Sequence, residues 1–130
     1  MNEISDDAIM RALGRQMNRA VAKQIVASGN LANLDTPGYR TREVAFGDVL
    51  SDEIDKGGLA GINAAHVAGA GGDGVRVTEA AGLSSRRDGN NVQLDRELLN
   101  MTRATGDFAA AQTALSAKFR LIRYAINEGR

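Results

Sequence analysis

The sequence predicts a mainly α fold: two long terminal helices paired as a coiled-coil hairpin, with a Gly-rich, partly extended middle segment. Three observations predict it. An amphipathic repeat runs from about residue 6 to 34. A heptad pattern runs from about residue 92 to 128. Ten of the fifteen glycines fall between them, in residues 40–90. The expected organisation is an N-terminal coiled-coil helix and turn over 1–39, a flexible Gly-rich insertion over 40–90, and a C-terminal coiled-coil helix over 91–130. At 130 residues these make one domain.

The first helix is defined by its faces. At 100° per residue, Ile9, Met10, Leu13, Met17, Ala20, Val21, Ile25, Ala27, Leu31 and Ala32 fall in one arc of about 160°. Arg11, Arg15, Arg19 and Lys23 recur every fourth residue on the opposite side, and no acid lies between Asp7 and Asp35. Asp6 and Asp7 stand where negative charge suits the helix dipole. The stop is Asn33, read as a left-handed cap, with Pro37 biasing Thr36 away from helix. Thr36-Pro37-Gly38-Tyr39 reads as a type II turn, Pro at the second position and Gly at the third.

The middle segment holds two short β-like pieces, Glu43–Phe46 and Val75–Thr78, enough for one small hairpin. Residues 57–74 have the composition of a flexible loop. Glu43, Asp48, Asp52, Glu53 and Asp55 make the start of the segment locally acidic.

In the last segment the expected seam is Leu94, Leu98, Met101, Thr105, Phe108, Gln112, Leu115, Phe119, Ile122 and Ile126, steps of four and three with eight of ten positions apolar. Its residues are expected to pack on Leu13, Met17, Val21 and Ile25. Two helices cover only one face of each other, and large apolar side chains are few. The leftover apolar surface therefore calls for further partners, and assembly through the terminal helices is the expectation. A self-packed small bundle is the alternative.

Several function classes are excluded or unsupported. Sixteen basic and sixteen acidic residues cancel, so no net basic surface points to nucleic acid. Without cysteine there is no disulfide, thiolate ligand or cysteine nucleophile. His66 is the single histidine and sits in an Ala/Gly stretch with no second ligand nearby. Residues 69–74 mimic a spaced-glycine nucleotide loop, but an extended segment follows where the phosphate-binding helix should start. No residue set suggests an enzyme, and no cofactor or metal is expected. The acidic N-terminus lacks the pattern of a secretory signal, and the longest uncharged run is too short and Gly/Ala-rich to span a membrane.

Residues Asn30-Leu31-Ala32-Asn33-Leu34-Asp35-Thr36-Pro37-Gly38-Tyr39-Arg40 resemble the signature of bacterial flagellar rod and hook axial proteins. In that family an N-terminal helix ends in Asn-x-Ala-Asn, followed by Thr and often Pro-Gly-Tyr. The motif residues here are Asn30, Ala32, Asn33, Thr36, Pro37, Gly38 and Tyr39. The short middle segment, with Asn90–Glu97, Leu115–Phe119 and Arg123–Ile126, resembles the short proximal rod members. Gln93 stands where they usually carry Asp, and Leu98 where they usually carry Met.

The resemblance implies a structural subunit of the periplasmic rod, stacked helically with copies of itself and other rod proteins. It implies contact with the basal-body ring and its adaptor, and passage through the flagellar type III export apparatus without a cleaved signal. Phe46–Leu50 also resembles the Phe-x-x-x-apolar motif of early export substrates, with Phe46 and Leu50 as its anchors. A packed strand end is the plainer reading of that stretch. The competing class is a free-standing coiled-coil adaptor. The local charge separation suggests that Arg11, Arg15, Arg19 and Lys23 meet the acidic 43–55 stretch of a neighbour.

Overall fold

The computed structural model describes residues 6–46 and 75–128. Its elements are α1 (Asp6–Ala32), β1 (Arg42–Phe46), β2 (Val75–Glu79) and α2 (Leu94–Glu128). At 1.5 Å per residue the 27-residue α1 spans about 40 Å and the 35-residue α2 about 52 Å. The helices pack antiparallel along their length. Asn30 meets Glu97 at one end and Asp6 meets Lys118 at the other, with Gln24 bonded to Thr105 between them. The mainly helical architecture and the small hairpin agree with the sequence reading.

Where α1 stops, Asn33 acts through its side chain. Its Nδ2 donates to the Gly29 carbonyl at 2.8 Å, satisfying one of the orphan acceptors of the last turn. The next residues tighten into three-residue bonds, Asn33 N–H to Asn30 O and Leu34 N–H to Leu31 O, both at 3.1 Å. The turn at Thr36–Tyr39 then closes with Tyr39 N–H on Thr36 O at 3.2 Å. Gly38 sits at φ 72°, as the third position of a type II turn requires.

β1 and β2 pair antiparallel, Arg42 opposite Glu79 through Phe46 opposite Val75. The hairpin lies against α1. The Phe46 ring sits under two cations of that helix, 5.0 Å from the Arg19 guanidinium carbon and 5.6 Å from Lys23 Nζ. Residues 57–74, His66, Leu50 and the acids from Asp48 to Asp55 lie outside the described residues.

The core is thin. Among the described residues the buried apolar side chains are Ala20, Ala27, Ala80, Val92, Ala104 and Ala111. Ala20 and Ala27 are a heptad apart on α1, as are Ala104 and Ala111 on α2. The fully buried apolar part of the interhelical contact is therefore a narrow strip of methyl groups.

That strip falls to one side of the expected seam. The row Met101, Phe108, Leu115 and Ile122 is half-buried. The row beside it in the interface is Glu97, Ala104, Ala111 and Lys118, not Leu98, Thr105, Gln112, Phe119 and Ile126. The buried face is turned by about 50°, half of one residue's 100° step. Leu98 and Phe119 are half-exposed, Ile126 is 64 % exposed, and on α1 Ile25 is 67 % exposed.

Candidate assembly surface and the polar knot beneath it

The hairpin's closed end is held by a knot of buried amides. Asn30 is fully buried and uses its whole amide. Its Nδ2 donates to Arg42 O at 2.7 Å and Glu97 Oε2 at 2.9 Å. Its Oδ1 accepts from Arg42 N–H at 3.0 Å and from the Tyr39 hydroxyl at 3.3 Å. One side chain thus ties the end of α1 to the first residue of β1, to the turn and to the first turn of α2. It bonds Arg42 on both backbone groups, as a neighbouring strand would.

Asn90, also fully buried, does the same for the turn. Its Nδ2 donates to Asn33 O at 2.9 Å and Thr36 O at 2.8 Å, while its Oδ1 accepts from Val92 N–H at 2.8 Å. Asn91 Oδ1 accepts from Thr41 N–H at 2.6 Å. Gly38 N–H donates to Asp88 O at 2.9 Å, and Arg86 reaches the Leu34 carbonyl and lies near Asp35. Gly89, at φ 84°, lies so close that a Cβ there would stand 3.4 Å from Gly38 Cα. The two turns meet backbone to backbone.

The motif residues Asn30, Asn33, Thr36, Gly38 and Tyr39 are thus brought together, and every one makes a hydrogen bond that fixes the chain's exit from α1. Ala32 and Pro37 are exposed beside them. Sequence reasoning missed the other half of the knot: Thr41, Asn90, Asn91 and Glu97. The available signal was the Asn90-Asn91 pair directly before a helix, in a chain position where exposed polar residues are the default.

Above the knot the helix pair has two flanks. One carries the β hairpin on the side of Arg19, Lys23 and Val26. There a cleft of about 230 Å³ opens between α1, α2 and β1, lined in part by Lys23, Arg42, Glu43, Arg96, Glu97 and Arg103. Arg96 Nη2 meets Glu43 Oε2 at 3.2 Å across it. The other flank is bare among the described residues. On α1, positions 21, 25 and 28 lie there by the 100° step; on α2, positions 98 and 105 do. The Gln24–Thr105 bond of 2.8 Å crosses it.

The basic stripe is partly engaged within the chain. Arg11 pairs with Asp7 at 2.6 Å, Arg19 stacks on Phe46, and Lys23 stands 3.9 Å from Asp107. Arg15 has no acidic partner among the described residues. No group of residues that could hold a metal ion is present among them, and no described helix is long and apolar enough to cross a membrane.

The described residues thus form a long helical hairpin with an alanine seam and a locked base, and several large apolar side chains, Ile25, Leu98, Phe119 and Ile126 among them, are left half or mostly exposed. A family model described as flagella basal body rod protein matches residues 10–40, which carry most of α1 and the whole Asn30–Tyr39 motif. The flagellar basal body rod protein FlgB of Bacillus subtilis (strain 168) is 28 % identical over 119 residues, covering 91 % of this chain and 92 % of that protein. FlgB of Escherichia coli (strain K12) is 25 % identical over 136 residues, and FlgB of Yersinia enterocolitica 24 % over 141; each covers 95 % of this chain and 96 % of its own. The chain is similar to flagellar basal body rod proteins named FlgB along nearly its full length, and its α1 and Asn30–Tyr39 turn match the rod-protein family model.

Proposed function

We propose that this chain is a structural subunit of the proximal rod of the bacterial flagellar basal body, without enzymatic activity. It assembles helically through its terminal helices, transmits torque through many interlocked helices and lines the export channel. Its partners are copies of itself, the other rod proteins, and the basal-body ring with its adaptor. It reaches the periplasmic rod through the flagellar type III apparatus without a cleaved signal, Phe46 and Leu50 serving as the export motif in the unfolded chain.

One observation carries the reading: in a chain similar to rod proteins, Ile25, Leu98, Phe119 and Ile126 stand outside the chain's own seam. Their burial on neighbours completes the core that the single chain lacks. Covering the half to two-thirds of each side chain that is still exposed stabilises by about 1–2 kcal/mol, so a few per contact suffice to hold a subunit in place. The Asn30–Tyr39 turn, locked from beneath, presents a fixed lateral contact.

The test is incorporation. Ile126→Asp and Ile25→Asp should leave the helical content of the isolated chain nearly unchanged, because both side chains are already about two-thirds exposed, 64 % and 67 %. Each should remove the protein from isolated basal bodies and abolish motility. Normal motility of both variants overturns the assignment of these faces to assembly.

A further inference from the structure

The seam that joins α1 to α2 repeats itself. On α1, Ala20 and Ala27 form one inward row, and half-buried Met17, Gln24 and Leu31 form the next. On α2, Ala104 and Ala111 form one row, and half-buried Met101, Phe108 and Leu115 form the next. Every row steps by seven residues. The Asn30–Glu97 and Gln24–Thr105 bonds and the Asp6–Lys118 pair fix the levels along the axis. By those levels Ala27 stands opposite Met101, Ala20 opposite Phe108 and Ala104 opposite Gln24. Sliding one helix by seven residues sets Ala20 level with Met101 or Leu115, and Ala104 level with Met17 or Leu31. A methyl group faces a long side chain each time, so packing along the seam does not choose among these registers.

The polar knot does choose. Asn30 and Glu97 are both buried, and Asn30 Nδ2 donates to Glu97 Oε2 at 2.9 Å. A slip of seven residues in one direction brings the Asn30 amide level with Ala104. In the other direction it leaves Asn30 beyond the first residue of α2. Either way the buried amide and the buried carboxylate lose each other. The same slip parts Asn90 from the carbonyls of Asn33 and Thr36. The bonds further along the helices, Gln24–Thr105, Lys23–Asp107 and Asp6–Lys118, each involve an exposed side chain and weigh little. Nor is the knot built for stability alone. Among the described residues, Glu97 Oε1 and Thr41 Oγ1 are buried without a hydrogen-bond partner. Polar burial that costs stability and fits one alignment is a known way for helix pairs to fix register.

We infer that the knot is a register lock: the seam holds the two helices together, and Asn30, Asn90 and Glu97 select one alignment from the several that the seam allows. Glu97 is the positioning residue of the set, because it alone of the three belongs to α2 itself. This goes beyond the proposed function, since the lock holds whatever the helices meet outside the chain. It also bears on that reading. A slip of seven residues carries the exposed side chains of α1, such as Ile25, past those of α2, such as Leu98, by about 10 Å. A slipped chain presents a different surface to its neighbours.

The absence of cysteine makes the test clean. Three reporter pairs are placed in the full-length chain. Gln24→Cys with Thr105→Cys reads the observed register. Gln24→Cys with Leu98→Cys, or with Gln112→Cys, reads a slip of seven residues one way or the other. In the observed register these last two pairs are about 10 Å apart along the axis, beyond the roughly 7 Å between Cα atoms that a disulfide spans. Oxidation of the dilute monomer should therefore close the first pair alone. With Asn30→Leu, Glu97→Leu and Asn90→Ala added, internal closure of a slipped pair should rise by at least about tenfold, because no buried partner then penalises the slip. Far-UV circular dichroism should show both helices kept. Glu97→Gln, which retains an oxygen for the Asn30 amide, should close only the 24–105 pair. Closure of the 24–105 pair alone in the triple variant overturns the proposal, since the seam then sets its own register. Loss of helix in the triple variant overturns it as well, since the knot then holds the helices together instead of choosing their alignment. Recovery in basal bodies is read separately. A slipped variant incorporated like the parent defeats the assignment of Ile25 and Leu98 to assembly and leaves the lock standing.

Discussion

Asn90 shows how little of this fold rests on apolar burial. Its amide serves the two carbonyls of Asn33 and Thr36 and the Val92 N–H, all within a fully buried setting. The roles are not interchangeable, since the nitrogen must face the carbonyls. Asn90→Asp keeps the shape but sets an oxygen against two oxygens, and leaves both acceptors unserved. Each buried group left unpaired costs about 1–3 kcal/mol. Urea unfolding at neutral pH should show Asn90→Asp at least as destabilised as Asn90→Ala. An aspartate variant as stable as the parent removes this account of the knot. Gly89 is a second such point. Gly38 and Gly89 both hold positive φ, yet only at Gly89 would a methyl group also meet the facing turn's backbone, 3.4 Å away. Gly38→Ala should cost about 1 kcal/mol for the backbone alone. Gly89→Ala should cost about the same in that unfolding assay, because a Cβ 3.4 Å from Gly38 Cα makes an ordinary van der Waals contact and the strain is that of the positive φ.

At the scale of elements, the helices and the type II turn were legible in the sequence because each is a local property: a 3.6-residue period, an acidic first turn, Pro followed by Gly. The two strands were legible for the same reason. The face that α2 turns to α1 was not. Periodicity ranks positions by apolarity, so Leu98 and Phe119 outweighed Ala104 and Ala111, although alanine is what a two-helix contact can enclose most closely. The segment 80–93 was not legible either. Its composition is that of a loop, while its order comes from Asn90 and Asn91 bonding residues about fifty positions earlier. The seam has a direct test. Ala104 is wholly buried, so Ala104→Leu inserts three carbons where the helices meet and should cost about 1–3 kcal/mol by overpacking. The midpoint of thermal unfolding should fall accordingly. By contrast, Gln112→Leu, at an exposed position of the heptad seam, should leave it within experimental error. The reverse order of effects would restore the seam read from the heptads.

The whole chain is neutral, but its charge is unevenly placed, and the placement bears on assembly. α1 carries Arg11, Arg15, Arg19 and Lys23 against only Asp6 and Asp7. Of these cations Arg11 is paired with Asp7 and Arg19 is stacked on Phe46, so their charges are partly spent within the subunit. Arg15 has no such engagement among the described residues and lies on the same side. In an assembly of copies, the acidic stretch between residues 43 and 55 offers the opposite charge. Exposed pairs are worth about 0–1 kcal/mol each, so a single pair decides little, but under the proposed helical assembly the same contact would recur in every copy. Reversal of Arg11, Arg15 and Arg19 to Glu together should therefore slow self-association and reduce recovery in basal bodies, with the defect largest at low salt, where screening is weakest. Arg15→Glu alone should carry most of the salt-dependent share, and Arg11→Glu alone little, since its loss is chiefly an intrahelical pair. Light scattering of each variant across a salt series reads both quantities. A triple variant that assembles like the parent at every salt concentration shows that the stripe only solvates α1. An Arg11→Glu defect equal to that of Arg15→Glu shows that internal pairing does not limit what the stripe offers to neighbours.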